Sequence, residues 1–297
     1  MTQPLLSLRG LCWKLHTRRP DLEKLAAYAV HHYHPFVRVT GKKSRRIDNP
    51  DSSLKRVQRH IDRSLLKTIE LPDHLHGGVT GRSALTNASQ HLGTPVVVRL
   101  DLRDFFPSIT DRQVYSVWSR TLGCSPRVAA LLTSLTTYRG RLPQGAPSSS
   151  SLANLVLRDA DSEIRAAASM AGCIFTRYVD DLIFSGAASQ DLVATAIEAL
   201  RKAGFRVARA KIALMRAREL QEVTGLSVNS HLGPSVPRYK RSRVRAAIHS
   251  LPSRCDNQEF ATVLRSLKGR VQHVSITNFG AGQALQRQLA AALGSKR

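Results

Sequence analysis

The feature that most narrows what this chain can fold into is a pair of adjacent acids, Asp180 and Asp181, set between two short apolar runs. Cys173-Ile174-Phe175 precedes the tetrapeptide Tyr178-Val179-Asp180-Asp181, and Leu182-Ile183-Phe184 follows it. Two such runs with a polar break between them predict a β-hairpin. Neighbouring carboxylates at its tip oppose each other's ionisation, and a divalent cation would remove that penalty. A third carboxylate, Asp101, closes a further strand-like run, Val96-Val97-Val98-Arg99-Leu100-Asp101-Leu102. Three hard oxygen ligands from neighbouring strands suit two Mg²⁺ ions about 3.5–4 Å apart, the arrangement that serves in-line displacement at phosphorus. Taken alone, the acidic pair is equally consistent with an ordinary turn.

Charge points the same way. The chain carries 45 Lys and Arg against 21 acids, a formal net charge of +24. Such an excess resists compaction unless a polyanion neutralises it, and Lys and Arg contacts to phosphates release counterions. Nucleic acid is the expected partner. The alternatives are a basic solubility face or attraction to anionic lipid, and no amphipathic membrane anchor is evident. Residues 1–46 hold ten Lys or Arg and two acids, and residues 230–297 hold twelve and two. Basic arms thus flank a carboxylate-bearing centre, like a channel that grips phosphates and delivers them to metal. No apolar run approaches the roughly 18–20 residues that cross a bilayer. Met1-Thr2-Gln3-Pro4 lacks the order of a secretory signal. Cys12, Cys124, Cys173 and Cys255 form no Cys-x-x-Cys pair. The expectation is a cytoplasmic protein without disulfide framework, zinc site or membrane association.

Periodicity predicts one or two helices over residues 5–34, broken near Arg18-Arg19-Pro20 with Asp21 as a cap. Further helices are expected over Ser53–Ile69, Asp111–Leu122 and Arg127–Leu135. Ser148–Met170 reads as one long helix, and Ser189–Lys202 as a helix capped by Ser189 or Asp191. Strands are expected at Val37–Val39, from Ile47 after a polar turn over Gly41–Arg46, at Val96–Leu102, as a hairpin over Ile174–Phe184, and at Val223–Val228. Tyr239–Ser250 and Asn257–Leu267 read as basic helices, with a last helix over Gly282–Leu293.

Three segments carry a family resemblance. Leu100-Asp101-Leu102-Arg103-Asp104-Phe105-Phe106-Pro107-Ser108-Ile109, Leu142-Pro143-Gln144-Gly145-Ala146-Pro147 and Tyr178-Val179-Asp180-Asp181 resemble successive motifs of bacterial reverse transcriptases, over roughly residues 35–230. Asn87-Ala88-Ser89-Gln90-His91 and Val223-Thr224-Gly225 resemble two signatures of the retron type. The resemblance implies an α+β right-hand polymerase fold with a ferredoxin-like palm, mixed α/β fingers and a helical thumb. Residues 1–95 would form the fingers with N-terminal helices, 96–112 the first part of the palm, 113–149 more fingers, 150–229 the rest of the palm, and 230–297 a basic helical thumb.

It also implies residue roles. Asp101 and Asp180 would bridge two Mg²⁺ ions, Asp181 would support one, and the Leu102 carbonyl would complete a shell. Phe106 resembles the aromatic gate that rejects a 2′-hydroxyl, while Phe105 beside it is equally suited to the core. Asp104 resembles a triphosphate contact made through the backbone. Gln144 and Gly145 resemble the loop under the incoming nucleotide, against a generic turn. Lys42, Lys43, Arg45 and Arg46 form a basic fingertip, in which Arg46 best matches the family's arginine and Lys42 and Lys43 compete for its lysine. Lys211 resembles the lysine near the pyrophosphate, with a plain phosphate-binding or surface role open. Asn87 and His91 have an RNA-contacting or a structural role. Val223, Thr224 and Gly225 would turn near the primer terminus or form an ordinary β-turn. Arg238, Lys240, Arg241, Arg243 and Arg245 decorate a thumb helix that would track duplex phosphates.

The implied function is copying of part of a cognate structured noncoding RNA into single-stranded DNA from dNTPs. The first nucleotide would join a 2′-hydroxyl of a branching guanosine, within an antiphage module that includes an effector protein; an oligomeric assembly is open. Two alternatives stand. One is a reverse transcriptase of a group II intron or a diversity-generating element; the chain ends about 70 residues after Gly225, where an intron type would be expected to continue. The other is a non-catalytic RNA-binding scaffold, against which the intact Asp101, Asp180 and Asp181 speak.

Overall fold

The computed structural model describes residues 7–41, 43–251 and 258–294, without the side chains of Thr40, Lys43 and Glu259. Residues 5 and 6 of the first expected helix, Lys42 and Asn257 lie outside this set.

Helices α1 (Leu8–Leu15) and α2 (Arg19–Ala27) open the chain. They are separated by a left-handed His16 and by Pro20 in the first turn of α2, where a missing N–H is harmless. Asp21 is not the cap; it sits inside that turn and pairs with Arg18 at 2.8 Å. Strands β1 (Tyr33–Thr40) and β2 (Lys43–Pro50) form a two-stranded antiparallel hairpin. The expected turn over Gly41–Arg46 is much shorter, because Lys43 already pairs with Thr40. Helix α3 (Ser52–Ile61), capped by Asp51, runs on through a π turn over Asp62–Leu66. α4 (Ala84–Ala88) then leads to β3 (Val96–Asp101).

Four short helices follow: α5 (Phe105–Ser108), α6 (Asp111–Ser116), α7 (Pro126–Thr136) and α8 (Ser149–Val156). The predicted single helix breaks at Leu157, after which α9 (Arg158–Met170) starts afresh with Asp159 and Asp161 in its first turn. β4 (Ile174–Tyr178), β5 (Asp181–Ser185), α10 (Leu192–Lys202) and β6 (Ala213–Arg216) complete a β-α-β-β-α-β unit. Neither expected cap holds α10: Asp191 precedes it without a capping bond, and the Ser189 hydroxyl donates to Gly186 O at 2.6 Å. The strand order is β4-β5-β3-β6, antiparallel throughout. The strand expected at Val223–Val228 is a small hairpin, β7 (Glu222–Val223) and β8 (Leu226–Ser227). Helices α11 (Arg238–His249), α12 (Gln258–Thr277) and α13 (Phe279–Gly294) end the fold.

Side-chain alternation explains why β3 and β5 read as unbroken apolar runs. Val98, Leu100, Leu182 and Phe184 enter one core with α3, α7, α8, α9 and α10. Val97 and Ile183 point the other way, into a second core with Val223, Leu226, Val244, Ile248, Val271 and Leu285. The sheet is therefore covered on both faces, and the end of its two central strands, at Asp101 and Asp181, is where polar chemistry can emerge. Among the described residues no helix is long and apolar enough to cross a membrane.

Candidate active site

The sheet register assembles the acids. Leu100 pairs with Leu182, so Asp101 falls directly opposite Asp181 at the end of the same two strands. Asp180 belongs to the two-residue turn between β4 and β5, closed by pairing of Tyr178 with Asp181. Its neighbour Val179 has φ 59°, a left-handed position that a β-branched residue rarely takes. The Leu102 N–H donates to the Asp180 carbonyl at 3.0 Å, tying the turn to the strand that carries Asp101. The loop after α10 is fastened on the other side, where the Ala208 N–H donates to the Asp101 carbonyl at 2.8 Å.

Like charges directly opposite on a sheet are destabilising, and burial adds to the effect. The Asp181 carboxyl is pushed up to about 6, first by burial, then by Asp180 and Asp101; Arg99 and Lys211 pull against this. Asp180 is raised as well, by burial and by Asp101, with its backbone amide, Arg45 and Lys211 opposing. Lys211 answers the charge at the third acid: its Nζ stands 2.6 Å from Asp101 Oδ1. The donors are all carboxylate oxygens, the chemistry that suits a hard cation such as Mg²⁺. Among the described residues no group of three acidic, histidine or cysteine side chains is already gathered around one point; Asp101 faces Lys211 instead.

The surroundings are rich in cations. Asp104, left-handed at φ 47°, has an exposed side chain 3.5 Å from Arg103. A groove lined by Arg103, Asp104, Arg206, Arg209 and Lys211 opens beside it. Phe106 is half-buried against the core, with its ring 5.3 Å from that of Phe105. Gln144 and Gly145 meet the β1–β2 hairpin: the Asp48 N–H donates to Gln144 O at 2.8 Å. Gly145 has φ 118°, and a Cβ there would lie 2.8 Å from Ile47 Cγ2, so only glycine permits the approach. Ile47 and Arg45 share a strand face, and Arg45 is, with Lys211, one of the two cations felt by Asp180. Arg46 points the other way and pairs with Asp48 at 3.0 Å.

The sequence profile described as "Reverse transcriptase (RNA-dependent DNA polymerase)" matches residues 37–244. The chain belongs to the reverse transcriptase family. It is 32% identical to the Retron Mx162 reverse transcriptase of Myxococcus xanthus, over 96% of this chain and 64% of that protein. Identity to the Retron Mx65 reverse transcriptase of the same organism is 37%, over 74% of this chain and 56% of the relative. The Retron Ec86 reverse transcriptase of Escherichia coli is 32% identical, over 71% of this chain and 66% of its own length. These similarities identify a bacterial retron-type member of the family, one that spans 56–66% of the length of these relatives.

Several residues with expected contacts to ligand or RNA are buried or engaged within the fold. The Phe105 side chain is buried at 4% exposure in the main core, beside Phe205, as its core alternative expected. His91 is fully buried and links β4 and β5 through Thr176 and Ser185, each at 2.7 Å, the arrangement of its structural alternative. Burial lowers its pKa to about 3, keeping the ring neutral. Asn87 is equally buried. Val223 belongs to the second core, while Thr224 and Gly225, both at positive φ, make the two-residue turn between β7 and β8. The Thr224 hydroxyl donates to Ala84 O at 2.9 Å, docking that turn on α4. Lys240 is engaged within the fold, by Glu222 at 2.8 Å and by Gly225 O at 2.9 Å. Arg241 is half-buried, and Arg238, Arg243 and Arg245 are exposed on α11.

Sequence reasoning passed over Arg99 and gave Arg45 no place of its own. Arg99 lies two residues before Asp101 on the same strand face, and Arg45 two before Ile47. Strand parity was the available signal in both cases.

Proposed function

We propose that this chain is a retron reverse transcriptase that copies part of a cognate structured noncoding RNA into single-stranded DNA. Priming from an RNA 2′-hydroxyl gives a branched RNA–DNA product, and the system serves in antiphage defence with an effector protein, in the cytoplasm. The observation that carries the catalytic part is the cross-strand pair Asp101 and Asp181, with Asp180 in the adjoining turn and Lys211 on Asp101. The retron part is supported by the similarity to retron reverse transcriptases of Myxococcus xanthus and Escherichia coli.

Asp101, Asp180 and Asp181 would hold two Mg²⁺ ions, with the Leu102 carbonyl nearby. Bound there, the ions would lower the pKa of the attacking 3′-hydroxyl and stabilise the leaving pyrophosphate. Lys211, once relieved of Asp101, is placed to protonate or neutralise that leaving group. Arg45, Lys43 and the groove cations Arg103, Arg206 and Arg209 balance the triphosphate. Gln144 and Gly145 line the sugar side, and Phe106 excludes a 2′-hydroxyl. In this reading residues 1–95 and 113–149 are fingers, 96–112 and 150–229 a ferredoxin-like palm, and 230–297 a thumb. Arg238, Arg243 and Arg245 then track the duplex through its phosphates.

The test is to purify the protein from its native locus and sequence the nucleic acid that comes with it, after separate treatment with RNase, DNase and a 2′–5′ debranching enzyme. A discrete short DNA whose mobility shifts on debranching is the expected result. RNA without linked DNA, from protein that still extends an annealed primer, would overturn the retron part. Failure to incorporate dNTP on any primed template with Mg²⁺ would overturn the polymerase part.

A further inference from the structure

Behind the carboxylate turn lies an ion pair that no catalytic role uses. Arg177, two residues before Val179, has a fully buried side chain, and Asp161 on α9 is 2% exposed. The guanidinium divides its donors. Nε lies 2.9 and 3.0 Å from the two Asp161 oxygens, and Nη2 lies 2.7 Å from Oδ2. Nη1 donates instead to the carbonyl of Val179, at 2.9 Å. Stability alone is a weak account of such a pair, because well-packed apolar residues of similar volume usually serve as well or better. The bond to a main-chain oxygen of the turn is what an apolar pair could not supply.

That turn needs an external hold. A left-handed Val179 is strained, a state that persists only where its surroundings over-determine it. The segment before α4 supplies a second restraint. The Arg177 N–H donates to His74 O at 2.8 Å and the His76 N–H to Arg177 O at 2.9 Å, so this segment runs alongside β4. Gly77 then abuts the turn so closely that a Cβ on it would fall onto the Val179 nitrogen and Cγ2. Asn154 on α8 fixes Gly77 in turn, donating to its carbonyl at 2.9 Å.

We propose that Arg177 is a positioning residue: anchored by Asp161, it holds the Val179 carbonyl and thereby sets where Asp180 and Asp181 point. Gly77 is the backstop of the same device. This inference rests on the polymerase reading for its effect on rate, but the tether is a property of the turn that can be measured without activity. Arginine suits the task because its planar fork serves the carboxylate and the carbonyl at once, which a lysine point charge does not.

The decisive variant is the double substitution Arg177→Met with Asp161→Leu, which removes both charges and leaves neither unpaired. Melting temperature, single-nucleotide incorporation and amide exchange of the segment 178–182 are measured together. The expected result is a melting temperature near that of the wild type, kcat lower by at least about tenfold and KM for dNTP within about threefold. Amide exchange should be faster within 178–182 and unchanged elsewhere. Arg177→Lys, which keeps the charge but loses the fork, should show the same kcat loss and local exchange, and it stands in if the double variant does not fold. Wild-type kcat in either folded variant would show the pair to be structural only. Unchanged exchange at 178–182 would overturn the tether even if the wild type proved to have no polymerase activity, an outcome that counts separately against the polymerase reading.

Discussion

Asp101 and Asp181 face each other across β3 and β5, two acids in one cross-strand pair. The arrangement opposes folding when no cation is bound. The Asp181 carboxyl titrates higher in the folded chain, about 6 against an ordinary 3.8, so the native state holds its proton the more tightly. Stability from this group is greatest below the ordinary carboxylate range and declines as pH rises toward 6. At pH 7 without divalent cation, Asp181→Asn should therefore raise the melting temperature by about 2–6 °C. Mg²⁺ should raise that of the wild type and have little effect on the variant, while dNTP incorporation by the variant is lost. Calorimetric scans with and without Mg²⁺ decide this; equal melting of the two metal-free proteins would contradict it.

Phe106, five residues after Asp101, is only half-buried, whereas Phe105 is taken into the core. Phe106→Val should leave the fold intact and lower the preference for dNTP over rNTP by at least about tenfold, as expected when a contact sensitive to one hydroxyl is removed. Competing primer extension with dGTP and rGTP reads the ratio. An unchanged ratio would assign the gate elsewhere.

His91 predicts an acid limb in stability. Its folded pKa of about 3 lies below the ordinary histidine value of 6.5, so the unfolded chain binds the extra proton. The stabilisation is whole above pH 6.5 and is lost as pH falls toward 3, by up to about 1.4 kcal/mol per pH unit. His91→Gln should flatten this slope between pH 6 and 4 in urea titrations, at the expense of stability near neutrality. A variant with the wild-type slope would show that another group, such as His74, governs the limb.

Among the described residues, the cations of α11 include exposed ones without an ion pair and one committed to Glu222. Arg243→Gln and Arg245→Gln should each weaken binding to an RNA–DNA duplex and lower the slope of log K against log salt by about one unit. Lys240→Gln should leave that slope nearly unchanged and lower the melting temperature, since Lys240 serves Glu222 and Gly225. Duplex binding titrated over a range of salt separates the two classes.

What was legible in the sequence follows from what local chemistry can encode. Adjacent acids in an apolar setting, and runs such as Val96–Leu102, announce a hairpin and a doubly covered strand, because burial on both faces needs no partner to be named. The break between α8 and α9 was not legible, since Leu157 is neither glycine nor proline and the chain merely restarts its hydrogen bonding there. The burial of His91 was hidden too. Its partners Thr176 and Ser185 lie 85 and 94 residues away, and nothing in a short polar helix foretells them. Lys240 and Arg243 look alike in a basic stretch, and only the position of Glu222 tells them apart.

The second core joins Val97 and Ile183 of the central sheet to Val244 and Ile248 of α11. The helix with the exposed arginines and the strands with the acids therefore share one foundation. If α11 follows the duplex as proposed, each advance by one nucleotide would be a hand-over of successive phosphates along a rail footed in the same core as the acids, and the spacing between rail and acids would act as the gauge of the step.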